Sequence, residues 1–176
     1  MSSEFNVLKN EEIKILEDAI FYITILVAGA DNNIDATEKE WAHKIVDIRS
    51  YSKKSKVLNH FYDAVEKDFD NRLAKFIDEL PKDKSAREAI INEKLSLVNE
   101  PIAKLDNYAA YWLYKSYVSL ARQIAESSGG FLRFGSVSND EKKVLGLHMI
   151  TPIERIYDDN LDIDEEEQEL ESENEQ

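Results

Sequence analysis

Carboxylates gather at two predicted helix starts in this chain, and clustered oxygen donors of that kind suit a hard divalent cation. Asp31, Asn33 and Asp35 stand at alternate positions, and Glu38 follows three residues after Asp35. The spacing matches positions one, three and five of an EF-hand loop. Position six, however, is Ala36 in place of glycine, and position twelve is Ala42 in place of a bidentate glutamate. An EF-hand is not expected. A looser site drawing on Asp31, Asp35, Glu38 and Glu141 is what these residue types allow. The same residues have a plainer reading. Asp35 with Glu38, and Ser138 with Glu141, make good helix N-caps, and acidic groups there complement the helix dipole. Both readings stand at this point.

Other chemistry is poorly supported. Glu40 and His43 form a Glu-x-x-His pair, but a di-iron bundle needs two such pairs with further glutamates, and neither His60 nor His148 has a glutamate three residues before it. His43 is expected to be a surface or half-buried helix residue. Gly130 and Gly135-Ser136 brush the phosphate-loop pattern, but the lysine is absent and no strand precedes them. The chain has no cysteine, which excludes disulfides, zinc-thiolate sites and thiol catalysis. No Ser, His and Asp arrangement suggests a nucleophile, so an enzyme is not expected.

The elements that must position these residues all read as helices. From Asn10 to Ala30, Ile13, Leu16, Ile20, Ile23, Val27 and Ala30 recur in steps of three and four, and Ile15, Ala19, Tyr22 and Leu26 form a second stripe. A helix apolar on more than one face belongs at the centre of a bundle. Residues 1–9 before it are expected to fray. Asp31-Asn32-Asn33 is turn chemistry. A second helix is predicted from Asp35 to about Ser50, with Trp41, Ile45 and Ile48 inward and Ala42 beside them. A third spans about Lys54 to Leu80, with Val57, Leu58, Phe61, Val65, Phe69, Leu73, Phe76 and Ile77 on its face and a break possible near Asp70-Asn71. Ser85-x-x-Glu88 reads as a capping box opening a fourth helix to about Val98, with Ala86, Ile90, Ile91, Leu95 and Val98 inward. Pro101 suits the first turn of a fifth, running to about Glu126 and rich in rings (Tyr108, Tyr111, Trp112, Tyr114, Tyr117), expected to be core packing. A sixth is predicted from Ser138 to about Ile150.

No stretch reads as a strand. The expected fold is all-α, one bundle of six to seven helices over residues 1–157, followed by a disordered acidic tail at 158–176. That tail holds eleven carboxylates and no Lys or Arg, while the rest of the chain sums to only −3 of the total charge of −14. The body is therefore close to neutral, and nothing resembles a basic nucleic-acid footprint. The longest apolar run, residues 19–30, is too short for the roughly 20 residues a membrane span needs. The N-terminus lacks the pattern of a signal peptide. A cytoplasmic protein, not an integral membrane protein, is expected. Between the glycines of the 129–137 loop, Phe131, Leu132 and Phe134 either tuck into the bundle or form a patch for a partner.

Ile34-Asp35-Ala36-Thr37-Glu38 can be laid against Val137-Ser138-Asn139-Asp140-Glu141, each following a run of small residues. On these residues the chain resembles the tellurite-resistance TerB-like family. Ala28-Gly29-Ala30-Asp31 through Glu38 looks like the family's first element, and Ser127 to Gly130 with Val137 to Glu141 looks like a second. The chain departs from the pattern at Asn32 or Asn33, where a glycine is expected, and at Ser128 or Gly129, where an aspartate is expected. The resemblance implies an α-helical bundle with an acidic cluster for a divalent cation (Ca²⁺, Mg²⁺ or Mn²⁺), with Asp31, Asp35, Glu38 and Glu141 at the matching positions. It also implies a role in bacterial stress-response or membrane-associated assemblies, exercised through protein partners. The alternative is a metal-free adaptor or scaffold that works through the aromatic loop and the acidic tail.

Overall fold

The computed structural model describes residues 3–29, 36–51, 56–127 and 147–156. Among these the protein is all-α, as the periodicity predicts. A 3-10 turn at Ser3–Val7 leads to α1 (Asn10–Ala28), α2 (Ala36–Tyr51), α3 (Lys56–Glu66), α4 (Phe69–Glu79), α5 (Lys84–Ser96), the single turn α6 (Asn99–Ile102) and α7 (Asn107–Ser127). No helix among the described residues is long and apolar enough to cross a membrane.

The sequence of α1 dictates its place. Apolar on more than one face, and buried almost all round from Ala19 to Ala28, it satisfies its surface by being surrounded, and it packs against each of the other six helices. Leu16, Ile20, Phe21, Ile23 and Ile25 have no exposed surface. The one polar side chain in this buried run, Thr24, is accommodated because its hydroxyl donates to the Ile20 carbonyl at 2.8 Å, so no hydrogen-bonding group is stranded. At the start of the helix the Glu12 carboxylate accepts the Lys9 N–H at 2.8 Å. Residues 1–9 were expected to fray, but Phe5 and Leu8 are buried in the core and Phe5 stacks on Phe61 at 5.7 Å. Two apolar side chains outweigh the entropy of ordering a short terminus.

The corner between α3 and α4 lies at Lys67-Asp68, a little before Asp70-Asn71. Asp68 takes a left-handed conformation (φ 59°), which Asp tolerates better than most residues, and its carboxylate accepts the Asn71 side-chain amide. The break leaves Phe69 and Leu73 buried and lets Phe69 and Phe76 flank Phe21, each at 5.1 Å. Arg72 lies over the Phe21 ring at 4.5 Å and pairs with Glu17 and Asp18 at 3.6 and 3.5 Å. Burial pushes the Glu17 carboxyl above its usual range, and the Arg72 charge opposes that shift.

The cap of α5 is Asp83, whose carboxylate accepts the Ala86 N–H at 2.9 Å, so the helix starts two residues before the predicted Ser85 box. Ala86 is exposed, and the inward residues are Ile91, Leu95 and, just beyond the helix, Val98. Asp83→Ala is expected to cost about 1 kcal/mol and Ser85→Ala almost nothing, measured by urea denaturation. A larger loss at Ser85 would reinstate the predicted capping box.

The predicted fifth helix is two. The chain leaves α6 at Ala103 and restarts at α7 under a new cap, Asp106, whose carboxylate accepts the Ala109 N–H at 2.9 Å. Along α7 only Tyr117 of the five rings is fully buried. Ala109, Leu113, Leu120, Ala121 and Ile124 form the seam. Two small alanines on that seam leave little room for large rings, which are pushed to its flanks.

Residues 147–150 form a turn, not the predicted helix end, with the Ile150 N–H donating to the Leu147 carbonyl at 2.8 Å. Residues 151–156 then run without secondary structure across α6 and the start of α7. Leu147 and Ile150 are fully buried, and Ile153 packs on the core.

Candidate interaction groove

The acidic residues singled out by sequence lie mostly outside the described residues: Asp31, Asp35 and Glu141 fall there, as does the side chain of Glu38, whose backbone is in the first turn of α2. The loop with Phe131, Leu132 and Phe134, and the tail at 158–176, also lie outside them. Among the described residues, no three His, Asp or Glu side chains come together in a way that could hold a metal ion.

His43 shows why its surroundings do not form a metal site. It is half-buried, as expected, with its ring stacked on Phe69 at 5.1 Å. Asp70 sits 3.1 Å from Nδ1 and Glu66 sits 3.9 Å from Nε2. The two nitrogens point away from each other along the ring, so the carboxylates flank the imidazole and do not converge on one point. The histidine ties α2 to the α3–α4 corner.

Among the described residues, a concave surface lies between α2 and the C-terminal half of α7. It is an open groove of about 450 Å³ lined by Trp41, Ile45, Ile48, Arg49, Gln123 and Glu126. The stripe Trp41, Ile45 and Ile48 is the one predicted as the inner face of α2. Ile45 is buried as predicted, but Trp41 and Ile48 face the groove instead and are 42% and 43% exposed. The core side of α2 is Ala42, Ile45 and Val46. Ala42 explains the choice, because its small side chain lets α2 approach its neighbours where a tryptophan would hold it away. Lys44 lies over the outer Trp41 ring at 4.8 Å.

Arg49 forms the polar end of this groove. One terminal nitrogen donates to the Tyr62 hydroxyl at 2.9 Å, the Ser116 carbonyl at 2.9 Å and the Ser116 hydroxyl at 3.1 Å. The other donates to the Ser119 hydroxyl at 3.2 Å and Gln123 Oε1 at 3.3 Å. Tyr62 and Ser116 are also bonded to each other, and the guanidinium sits 5.4 Å from the Tyr62 ring centre. Its partners among the described residues are thus neutral. The fork joins α2 to α3 and α7 while leaving the positive charge uncompensated by direct pairing there. Sequence reasoning passed over Arg49 and its partners. The available signal was the polar row Ser116, Ser119 and Gln123, spaced along one side of an otherwise aromatic and aliphatic helix.

No family model, curated protein or solved structure matches this chain.

Proposed function

We propose that this chain is a helical interaction module of the TerB-like kind, acting through protein partners in a bacterial stress-response setting and carrying no catalytic centre. The observation that carries this reading is the α2–α7 groove: an exposed tryptophan and isoleucine beside a guanidinium held by neutral groups. A large aromatic with an adjacent arginine is the residue pairing that anchors protein interfaces. Trp41 and Ile48 are too exposed to contribute much to the core, so their apolar surface is open to a partner.

The test is a Trp41→Ala/Ile48→Ala variant of the full chain. Its unfolding free energy is expected to fall by less than about 1 kcal/mol, as for other exposed positions. Proteins that co-purify with the wild-type chain are expected to be lost. Equal recovery of the same proteins by both chains would reject the groove as the interaction surface.

The resemblance extends the proposal to a divalent cation, Ca²⁺, Mg²⁺ or Mn²⁺, bound by Asp31, Asp35, Glu38 and Glu141, whose carboxylates would supply the hard oxygen donors such ions need. A ligand at ten times its dissociation constant stabilises the folded state by about 1.4 kcal/mol. Thermal unfolding in EDTA and then in each metal is expected to show a metal-specific rise of about 3–5 °C, lost in Asp31→Asn/Glu38→Gln. No rise in either protein would leave these residues as helix caps and favour the metal-free adaptor acting through the 129–137 loop and the acidic tail.

A further inference from the structure

Two asparagines grip residues 149–156 by their backbone. Asn99 donates from Nδ2 to the Met149 carbonyl at 3.0 Å and accepts the Thr151 N–H through Oδ1 at 2.7 Å. Asn107 repeats the pattern five residues on, donating to the Glu154 carbonyl at 3.0 Å and accepting the Ile156 N–H at 2.8 Å. Each amide spans one residue and satisfies the carbonyl before it and the N–H after it, as a neighbouring strand would. This is how an extended peptide is recognised on a sheet edge, with main-chain bonds for affinity and side-chain seats for selectivity. Here the edge is built from two side chains on helices.

We propose that the face carrying Asn99 and Asn107 is a binding site for a non-helical segment of a partner protein with aliphatic residues three apart, and that residues 147–156 occupy it in cis as a built-in competitor. The bound segment defines the chemistry. Leu147, Ile150 and Ile153 fill the seats, and Pro152 prevents a helix between the clamps and biases Thr151 toward extended backbone. The cis occupant also carries a handicap. Leu147 is held at φ 46°, a left-handed conformation that a leucine side chain disfavours. A partner segment that reaches the Ile150 and Ile153 seats without that turn escapes the penalty. The site is separate from the α2–α7 groove, because Asn107 and Gln123 lie at opposite ends of α7, about 24 Å apart along the helix.

The probe is a fluorescent peptide with the sequence of residues 146–157, titrated into the full chain and followed by anisotropy. Wild type is expected to bind it weakly. A full-length Ile150→Ala/Ile153→Ala chain, whose own segment fits poorly, is expected to bind at least tenfold tighter. Adding Asn99→Ala and Asn107→Ala should abolish that gain, as should a scrambled peptide that breaks the spacing of three. No gain in the cooperatively folded Ile150→Ala/Ile153→Ala chain, or a gain indifferent to the asparagines, overturns the proposal. Amide exchange in the wild-type chain gives a second reading that needs no variant. The Thr151 and Ile156 amides are expected to exchange at least tenfold faster than the slowest amides of α1. Equal rates would mean that the segment opens only when the whole protein unfolds, and the site could not be open to a partner.

Discussion

Arg49→Met is expected to lower the unfolding free energy by about 2–3 kcal/mol, and Arg49→Lys by nearly as much. The guanidinium makes five donations, and they fall into two groups. Those to Tyr62 and to the carbonyl and hydroxyl of Ser116 are part-buried and span α2, α3 and α7. Charged hydrogen bonds of this sort contribute about 1.5–3 kcal/mol each when taken singly, but these share one nitrogen and are not additive. Those to Ser119, also part-buried, and to the exposed Gln123 are longer and add less. Methionine keeps much of the apolar stem and isolates the loss of the head group. Lysine keeps the charge but brings a single nitrogen to a site built for a planar fork lying beside the Tyr62 ring. Urea denaturation of the three proteins decides the matter. A loss below about 0.5 kcal/mol for Arg49→Met would mean that water replaces the arginine without cost, and that α2 is held by Ala42, Ile45 and Val46 alone. Rescue by lysine would assign the effect to charge and not to the fork.

The contrast between α1 and α2 shows what the chain discloses and what it conceals. In α1 the apolar residues cover more than one face, and from Ala19 on nearly every side chain is buried, so no choice of inner side has to be made there and its central position follows from periodicity. In α2 the apolar residues lie on two overlapping stripes, Trp41-Ile45-Ile48 and Ala42-Ile45-Val46. Hydrophobicity favours the first, yet packing distance favours the second because a small residue permits close approach. The period of a helix identifies its apolar residues. Which of two apolar sides meets the core is decided by the shape of the neighbours, and those are contributed by α3 and α7. The split of α6 from α7 failed for a related reason. Pro101 was a sound start signal, but the stronger one, Asp106 capping Ala109, lay inside a stretch whose apolar residues kept the helical period.

The functional surfaces were legible to different degrees. The acidic positions Asp31, Asp35 and Glu38 stand out by residue type and local spacing, and Glu141 by the second element and the family resemblance; all four lie outside the described residues, Glu38 by its side chain. Arg49 and Gln123 are joined across a large separation in sequence, and no local pattern links an arginine to a distant glutamine. Asn99 and Asn107 were hidden more deeply. Beside Pro101 and Asp106 they read as turn residues, and their role exists only because residues 149–156 return to them. Asparagine has few other ways to serve two backbone groups at once, so a pair of asparagines flanking a helix break is a signal worth reading beside any later Pro-containing apolar stretch.

Tyr117→Phe is expected to reverse its effect on stability with pH. At pH 8 the variant should be less stable than wild type by about 1 kcal/mol, because the Tyr117 hydroxyl donates to the Leu16 carbonyl at 2.7 Å inside the core. The carbonyl keeps its place in the α1 ladder, so the loss stays modest. Burial pushes the Tyr117 phenol well above its ordinary value, and the nearby Tyr62 and Glu17 add to the shift. The sign follows from proton binding. Below pH 10 the phenol is protonated in both states, and the hydroxyl contributes its full stability. Above pH 10 the unfolded chain releases that proton while the folded chain retains it, so the unfolded state binds fewer protons and stability falls as pH rises. One such group lowers the unfolding free energy by up to about 1.4 kcal/mol for each pH unit beyond 10, or about 2 kcal/mol at pH 11.5. Phenylalanine has no proton to lose. The wild-type and variant curves should therefore cross between pH 10 and 11.5, with the variant the more stable at the upper end. Curves that stay parallel up to pH 11.5 would mean that the Tyr117 phenol ionises as readily in the folded protein as in the unfolded chain, and that the α1–α7 seam admits water at its centre.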